Sequence, residues 1–239
     1  MTLLTPTAYL GHVRRDTDAF AGVLDAATAD GSLLARPVPS CPGWTLLDLA
    51  HHLGEVHRWV CGAVREGHGE TEVSAAPTEP AALATWFRDG AADLLSVLDG
   101  DPAHAVWTFH PPATLGFWQR RQAMENVVHR WDAEATLGPR APVEVALAAD
   151  GVAEVLDVFI PRRLGNGRLA PLPHAVSLRA SDTGDRWVIG PGDPVAELTA
   201  PAVTLMLHLW KRLPADDTGL AWSGDAPAGE QLLAMPLTS

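Results

Sequence analysis

Glu125, His129 and Asp132 lie four and three residues apart in the stretch MENVVHRWDAE, residues 124–134. On a helix this spacing lines the three polar side chains along one edge, each about a turn from the next. The adjoining stripe, Met124, Val127, Val128, Trp131 and Ala135, is apolar. Polar groups beside a buried face cost free energy unless solvent, a partner or an ion satisfies them. A glutamate and a histidine four apart can reach one cation together. The same pair can also simply satisfy each other at a helix surface. Spacing alone leaves both readings open.

A third candidate lies upstream, in LLDLAHHLGEVHRWV, residues 46–60. At about 100° per residue, Leu49, Leu53, Val56 and Val60 fall within roughly 40° of one another. His52 falls at about −60°, on the edge of that apolar face, whereas His51 falls near 200°, beside Glu55 and Arg58, and faces water. With His52 added, the set is two imidazoles and one carboxylate. Three protein ligands with a fourth position open is the pattern of a catalytic zinc site. The alternative, an inward histidine satisfied within the core, stands beside it. His12, His57, His68, His104, His110, His174 and His208 read as surface or loop residues, with His110 kept in reserve for its nearness to the Glu125 helix.

Four helices must position these side chains. The first, 5–29, opens with Thr5-Pro6, a cap followed by a first-turn proline. The second runs over 45–66 from a Thr45 cap, the third over 80–98 and the fourth over 117–136. Four amphipathic helices in this order predict a four-helix bundle with ligands on its inward faces. One more helix is expected over 143–160, stopped by Pro161. Beyond a Pro/Gly segment, 163–174, HAVSLRASDTGDRWVIGPG alternates apolar and polar residues about a turn and predicts a β-hairpin. AELTAP and GLAWSG read as strands, VTLMLHLWKRL and GEQLLAM as helices. The expected class is α+β: a bundle over 1–140 followed by a small α+β domain over 141–239.

The chain has 239 residues, enough for two small domains or one large one. Its 17 basic and 29 acidic residues give a net charge of −12, which repels nucleic acid and anionic membrane surfaces. Lys211 is the only lysine, so arginines must supply any fork that holds an anion. Cys41 and Cys61 form neither a zinc nor a redox spacing, and no apolar run approaches membrane-spanning length. The opening residues lack the order of a signal peptide, so a cytoplasmic protein is expected.

Two segments together carry a resemblance. PSCPGWTLLDLAHHLGEVHRW, 39–59, and RRQAMENVVHRWDAEATLG, 120–138, resemble the mycothiol-dependent maleylpyruvate isomerase family, within the wider DinB-like group of metal-binding helical bundles. The family's C-P-G-W-T-x-x-D-L-x-x-H-L-G motif is matched from Cys41 to Gly54, and its E-x-x-x-H-R-x-D pattern from Glu125 to Asp132. The resemblance implies a divalent metal, zinc by ligand type, held by His52, Glu125 and His129. It also implies mycothiol as thiol cosubstrate and a C-terminal domain resembling sterol carrier proteins. An L-W-x-R stretch, Leu209 to Arg212, makes Arg212 the candidate for an active-site arginine from that domain.

The chemistry so implied is addition of a metal-activated thiolate to an electrophilic small molecule, with cis–trans isomerisation of maleylpyruvate as the family's precedent. Asp48 and Asp132 are candidate acceptors for the imidazole ligands, and Arg121 for an anionic substrate. Neither cysteine is expected to act as nucleophile. A mycothiol S-transferase and a non-enzymatic, metal-stabilised ligand-binding protein are the competing readings.

Overall fold

The computed structural model describes residues 4–213 and 219–238. The chain divides into two compact units, one over Thr5–Pro142 and one over Val143 onward with Leu4.

The first unit is built from α1 (Pro6–Ala29), α2 (Leu46–Glu66), α3 (Pro80–Leu98) and α4 (Leu115–Glu134). The starts of α1, α2 and α3 have a local cause. The Thr5 hydroxyl accepts from the Ala8 N–H, with Pro6 in the first turn where no N–H is needed. Thr45 and Asp48 form a reciprocal capping box at α2. The Glu79 carboxylate takes the N–H groups of Ala81 and Ala82 at the start of α3. α1 packs on α3 and α4, and α2 packs on the same two helices, which is the expected four-helix bundle. Its core holds Phe20, Leu24, Leu49, Leu53, Leu83 and Phe87, each fully buried, with Phe20 stacked on Phe87 at 4.6 Å between centroids. A loop between α1 and α2 is closed by a bridge pairing Pro37 with Thr45. Gly43 turns it at φ +86°, a conformation glycine adopts without cost.

The second unit opens with α5 (Val145–Glu154), a π turn (Val155–Phe159) and α6 (Ile160–Gly165). The expected stop at Pro161 is therefore a register change rather than an end. Proline has no N–H to give and crowds the carbonyl four residues back. A π turn absorbs the fault, with the Ile160 N–H reaching the Val155 carbonyl. A sheet follows, of β1 (Ala175–Ala180), β2 (Arg186–Ile189), β3 (Pro194–Ala200) and β4 (Ala221–Gly224), ordered β2-β1-β3-β4. β1 pairs antiparallel with β2 as the expected hairpin and parallel with β3, and β3 pairs antiparallel with β4. The inner face, with Val176, Leu178, Trp187, Ile189 and Leu198, is buried and packs on α7 (Ala202–Leu209) and α8 (Ala226–Ala234). The outer face is polar, with Glu197 bridging Arg179 and Arg186. Leu169 and Leu172 anchor the Pro/Gly segment, each no more than 9% exposed. No helix among the described residues is long and apolar enough to cross a membrane.

Candidate metal centre

The three residues picked out by spacing meet. His52 comes from α2, Glu125 and His129 from α4, and one ligand atom from each lies within 4.8 Å of the other two. Glu125 Oε1 is 3.2 Å from His129 Nε2 and 3.5 Å from His52 Nε2. Zinc–ligand bonds of about 2.0–2.1 Å in a tetrahedron put neighbouring ligand atoms about 3.3 Å apart, so both measured edges fit one ion. The two imidazoles stand edge to face, their centroids 5.0 Å apart. His129 is buried, and the His52 side chain is 37% exposed, so the set opens toward solvent on the His52 side.

The two candidate ligands on α4 are each braced from behind. Arg121, one turn before Glu125 and 4% exposed, binds Glu125 Oε2 and leaves Oε1 to the imidazoles. Asp132, fully buried, accepts at Oδ2 from His129 Nδ1 at 3.1 Å. A histidine that gives one ring nitrogen to a carboxylate presents the other as a ligand. Burial would raise the Glu125 carboxyl, but Arg121 and His129 hold it well below the usual range. Burial would likewise lower His129, yet Glu125 and Asp132 outweigh it and carry the imidazole up to about 9. The donor set thus favours positive charge at the point where its ligand atoms converge. Two nitrogens and one carboxylate oxygen suit a borderline divalent ion such as zinc.

Several expectations need correcting. Asp48 is not behind a ligand: its carboxylate accepts from the Thr45 N–H at 2.8 Å and caps α2. Arg121 faces Glu125 rather than standing ready for substrate. His51 is half-buried, with Nε2 3.0 Å from the Pro77 carbonyl. His57 is no surface residue but fully buried, 2.8 Å from Asn126 Oδ1. Its apolar position escaped notice because it lies on the α2 face turned to α4 and α3, where it meets Phe87. Cys61 is buried, and burial pushes its thiol up to about 12. The i, i+4 spacing of Arg121 and Glu125 was the available sign of their pairing. No local spacing links Ser40 and Cys41 to Asp132, about ninety positions away in the chain, although both touch it.

The family model for the mycothiol maleylpyruvate isomerase N-terminal domain matches residues 10–134, and that for the corresponding C-terminal domain matches 146–231. The chain belongs to the mycothiol-dependent maleylpyruvate isomerase family. Two solved structures share its fold. A mycothiol-dependent maleylpyruvate isomerase aligns with a TM-score of 0.69 at 15% identity, over 93% of this chain and 96% of that one. A histidine-to-alanine mutant of such an isomerase aligns with a TM-score of 0.68 at 16% identity, over the same shares. No curated protein matches the chain. Membership of this isomerase family implies an enzyme that depends on mycothiol.

Proposed function

We propose that this chain is a mycothiol-dependent metalloenzyme of the cytoplasm that adds a thiolate to an electrophilic small molecule, with maleylpyruvate-type cis–trans isomerisation as its reaction. The observation that carries the reading is the meeting of His52, Glu125 and His129. These three would hold a divalent cation, zinc by donor type, which when bound lowers the pKa of a coordinated thiol so that thiolate is present at neutral pH.

The protein's own cysteines do not compete for that role. Burial keeps the Cys61 thiol protonated, and the Cys41 thiol is engaged by the Asp132 carboxylate at 3.5 Å. The nucleophile is therefore supplied from outside, as mycothiol. Arg121 offsets the charge of Glu125 and fixes which carboxylate oxygen faces the cation. Asp132 holds the His129 ring so that Nε2 points into the site.

In the isomerisation, mycothiol sulfur bonds to one carbon of the activated cis double bond, and the displaced electron pair moves to the neighbouring ketone oxygen. Rotation about the new single bond and return of the pair expel the thiolate and leave the trans product. No proton or electron is consumed.

Protein loaded with zinc, given mycothiol and maleylpyruvate, is expected to form fumarylpyruvate while the total thiol stays constant. Glutathione should not replace mycothiol. Stoichiometric loss of thiol into a stable adduct would make it an S-transferase instead. No conversion of maleylpyruvate or any other cis-enoyl acid or electrophile would refute the enzyme reading.

A further inference from the structure

Resting on the site just described, we infer that the loop Ser40-Cys41-Pro42-Gly43-Trp44 is a brace that sets both imidazole ligands, with Ser40 as a positioning residue for His129. The loop lies far in sequence from α4, yet its side chains touch the support of each histidine. Ser40 Oγ donates to Asp132 Oδ1 at 2.5 Å, and Cys41 Sγ approaches Oδ2 at 3.5 Å. Oδ2 is the same oxygen that meets His129 Nδ1. Asp132 is fully buried, so its lone pairs are met by protein donors, with Ser40 among them, rather than by bulk water. At the other end of the loop, Trp44 stands edge to face on His52, with centroids 5.0 Å apart. One short segment thereby restrains ligands from two different helices.

The loop's own fixings are independent of the site. The Val38 N–H donates to the Trp44 carbonyl at 2.9 Å, and the Trp44 N–H donates to the Cys41 carbonyl at 3.0 Å. Arg36 Nη1 reaches the Thr136 carbonyl just beyond the end of α4, at 3.0 Å. The segment is thus tied to the helix that carries Glu125 and His129, and it leads directly into the helix that carries His52. Without Ser40, Asp132 Oδ1 has lost its hydroxyl donor, and the carboxylate can turn away from His129 Nδ1. The ring then loses the restraint that aims Nε2.

The test is zinc affinity, measured by competition with a chromophoric chelator on the full chain, without any enzyme assay. Loss of supporting contacts of this kind weakens metal binding by roughly 10–100-fold. Ser40→Ala is expected near the lower end, about tenfold, with an unchanged far-UV spectrum. Ser40→Thr, which keeps the hydroxyl, should restore affinity. Asp132→Asn, which keeps the shape, should weaken it further. Leu94→Ala, at a buried α3 position outside the loop, should lower the melting temperature while leaving zinc affinity alone. Equal affinity for Ser40→Ala and wild type overturns the inference alone. So does an equal loss in Leu94→Ala, because the effect would then be general loosening. Failure of the wild type to bind zinc would instead overturn the reading of the site, and the inference with it.

Discussion

Acid should weaken the N-terminal bundle through one buried imidazole. His57 is fully buried, donates Nε2–H to Asn126 Oδ1 at 2.8 Å, and has no partner at Nδ1 among the described residues. The Asn126 amide is itself fixed by donation to the Gln122 carbonyl, so it presents oxygen rather than nitrogen to the ring. Protonating His57 would bury a charge with an unpaired N–H, and burial accordingly lowers its pKa from 6.5 to about 4. In the unfolded chain the same group titrates near 6.5. Between these values the unfolded state binds more protons than the folded one, so stability falls as pH falls. The contribution is fully present above about pH 6.5, is lost progressively toward pH 4, and changes no further below it. A difference of about 2.5 units at 1.36 kcal/mol each amounts to about 3 kcal/mol. Urea unfolding of wild type and His57→Gln at a series of pH values from 7 to 4 measures it. Glutamine can keep the contact with Asn126 but cannot take up a proton. The gap in stability between the two proteins should shift by about 3 kcal/mol in favour of the variant as pH falls through the window. Parallel curves for the two proteins would refute the reasoning.

Two other predictions concern packing and reactivity. Cys61, with its thiol near 12 and its side chain 2% exposed, should resist iodoacetamide in the native protein at pH 7.5 and react only on unfolding; rapid native labelling located to Cys61 by peptide mass spectrometry would contradict this. A Cβ on Gly54 would lie 2.1 Å from the Trp86 ring where α2 crosses α3. Gly54→Ala should therefore lower stability by about 1–3 kcal/mol in urea unfolding, and an unchanged midpoint would show that the ring moves aside freely.

The bundle helices were legible in the sequence because each carries a periodic apolar stripe and three of the four have a chemically explicit start. Thr5-Pro6 and the Thr45/Asp48 box are examples, and observed bounds lie within two residues of those expected. The candidate ligands were legible in part for the same reason, and the family resemblance joined them into one set. Helical geometry alone puts Glu125 beside His129 and turns His52 rather than His51 toward the apolar face. What escaped were particular contacts between distant segments that no motif records. Asp48 suited a ligand's support by type, but a residue three positions from a capping threonine is claimed locally first. The support comes from the other expected candidate, Asp132, and what went unseen is its tie to Ser40, across a separation that no helical period records. His57 was expected at the surface, although the 100° steps that turned His52 inward put His57 at about 80°, on the other edge of the same apolar face. Its place was set by how α2 meets α3 and α4, which depends on the packed bundle. Pro161 signals a break, yet a π turn can absorb a proline and let the helix continue.

Metal content tests the central claim most directly. Purified wild type, loaded with zinc and dialysed to remove free ion, should carry one zinc per chain by elemental mass spectrometry. His52→Ala, Glu125→Ala and His129→Ala should each carry little or none while keeping the wild-type far-UV spectrum. A wild type that retains no metal, or an alanine variant that retains as much as wild type, would contradict the account.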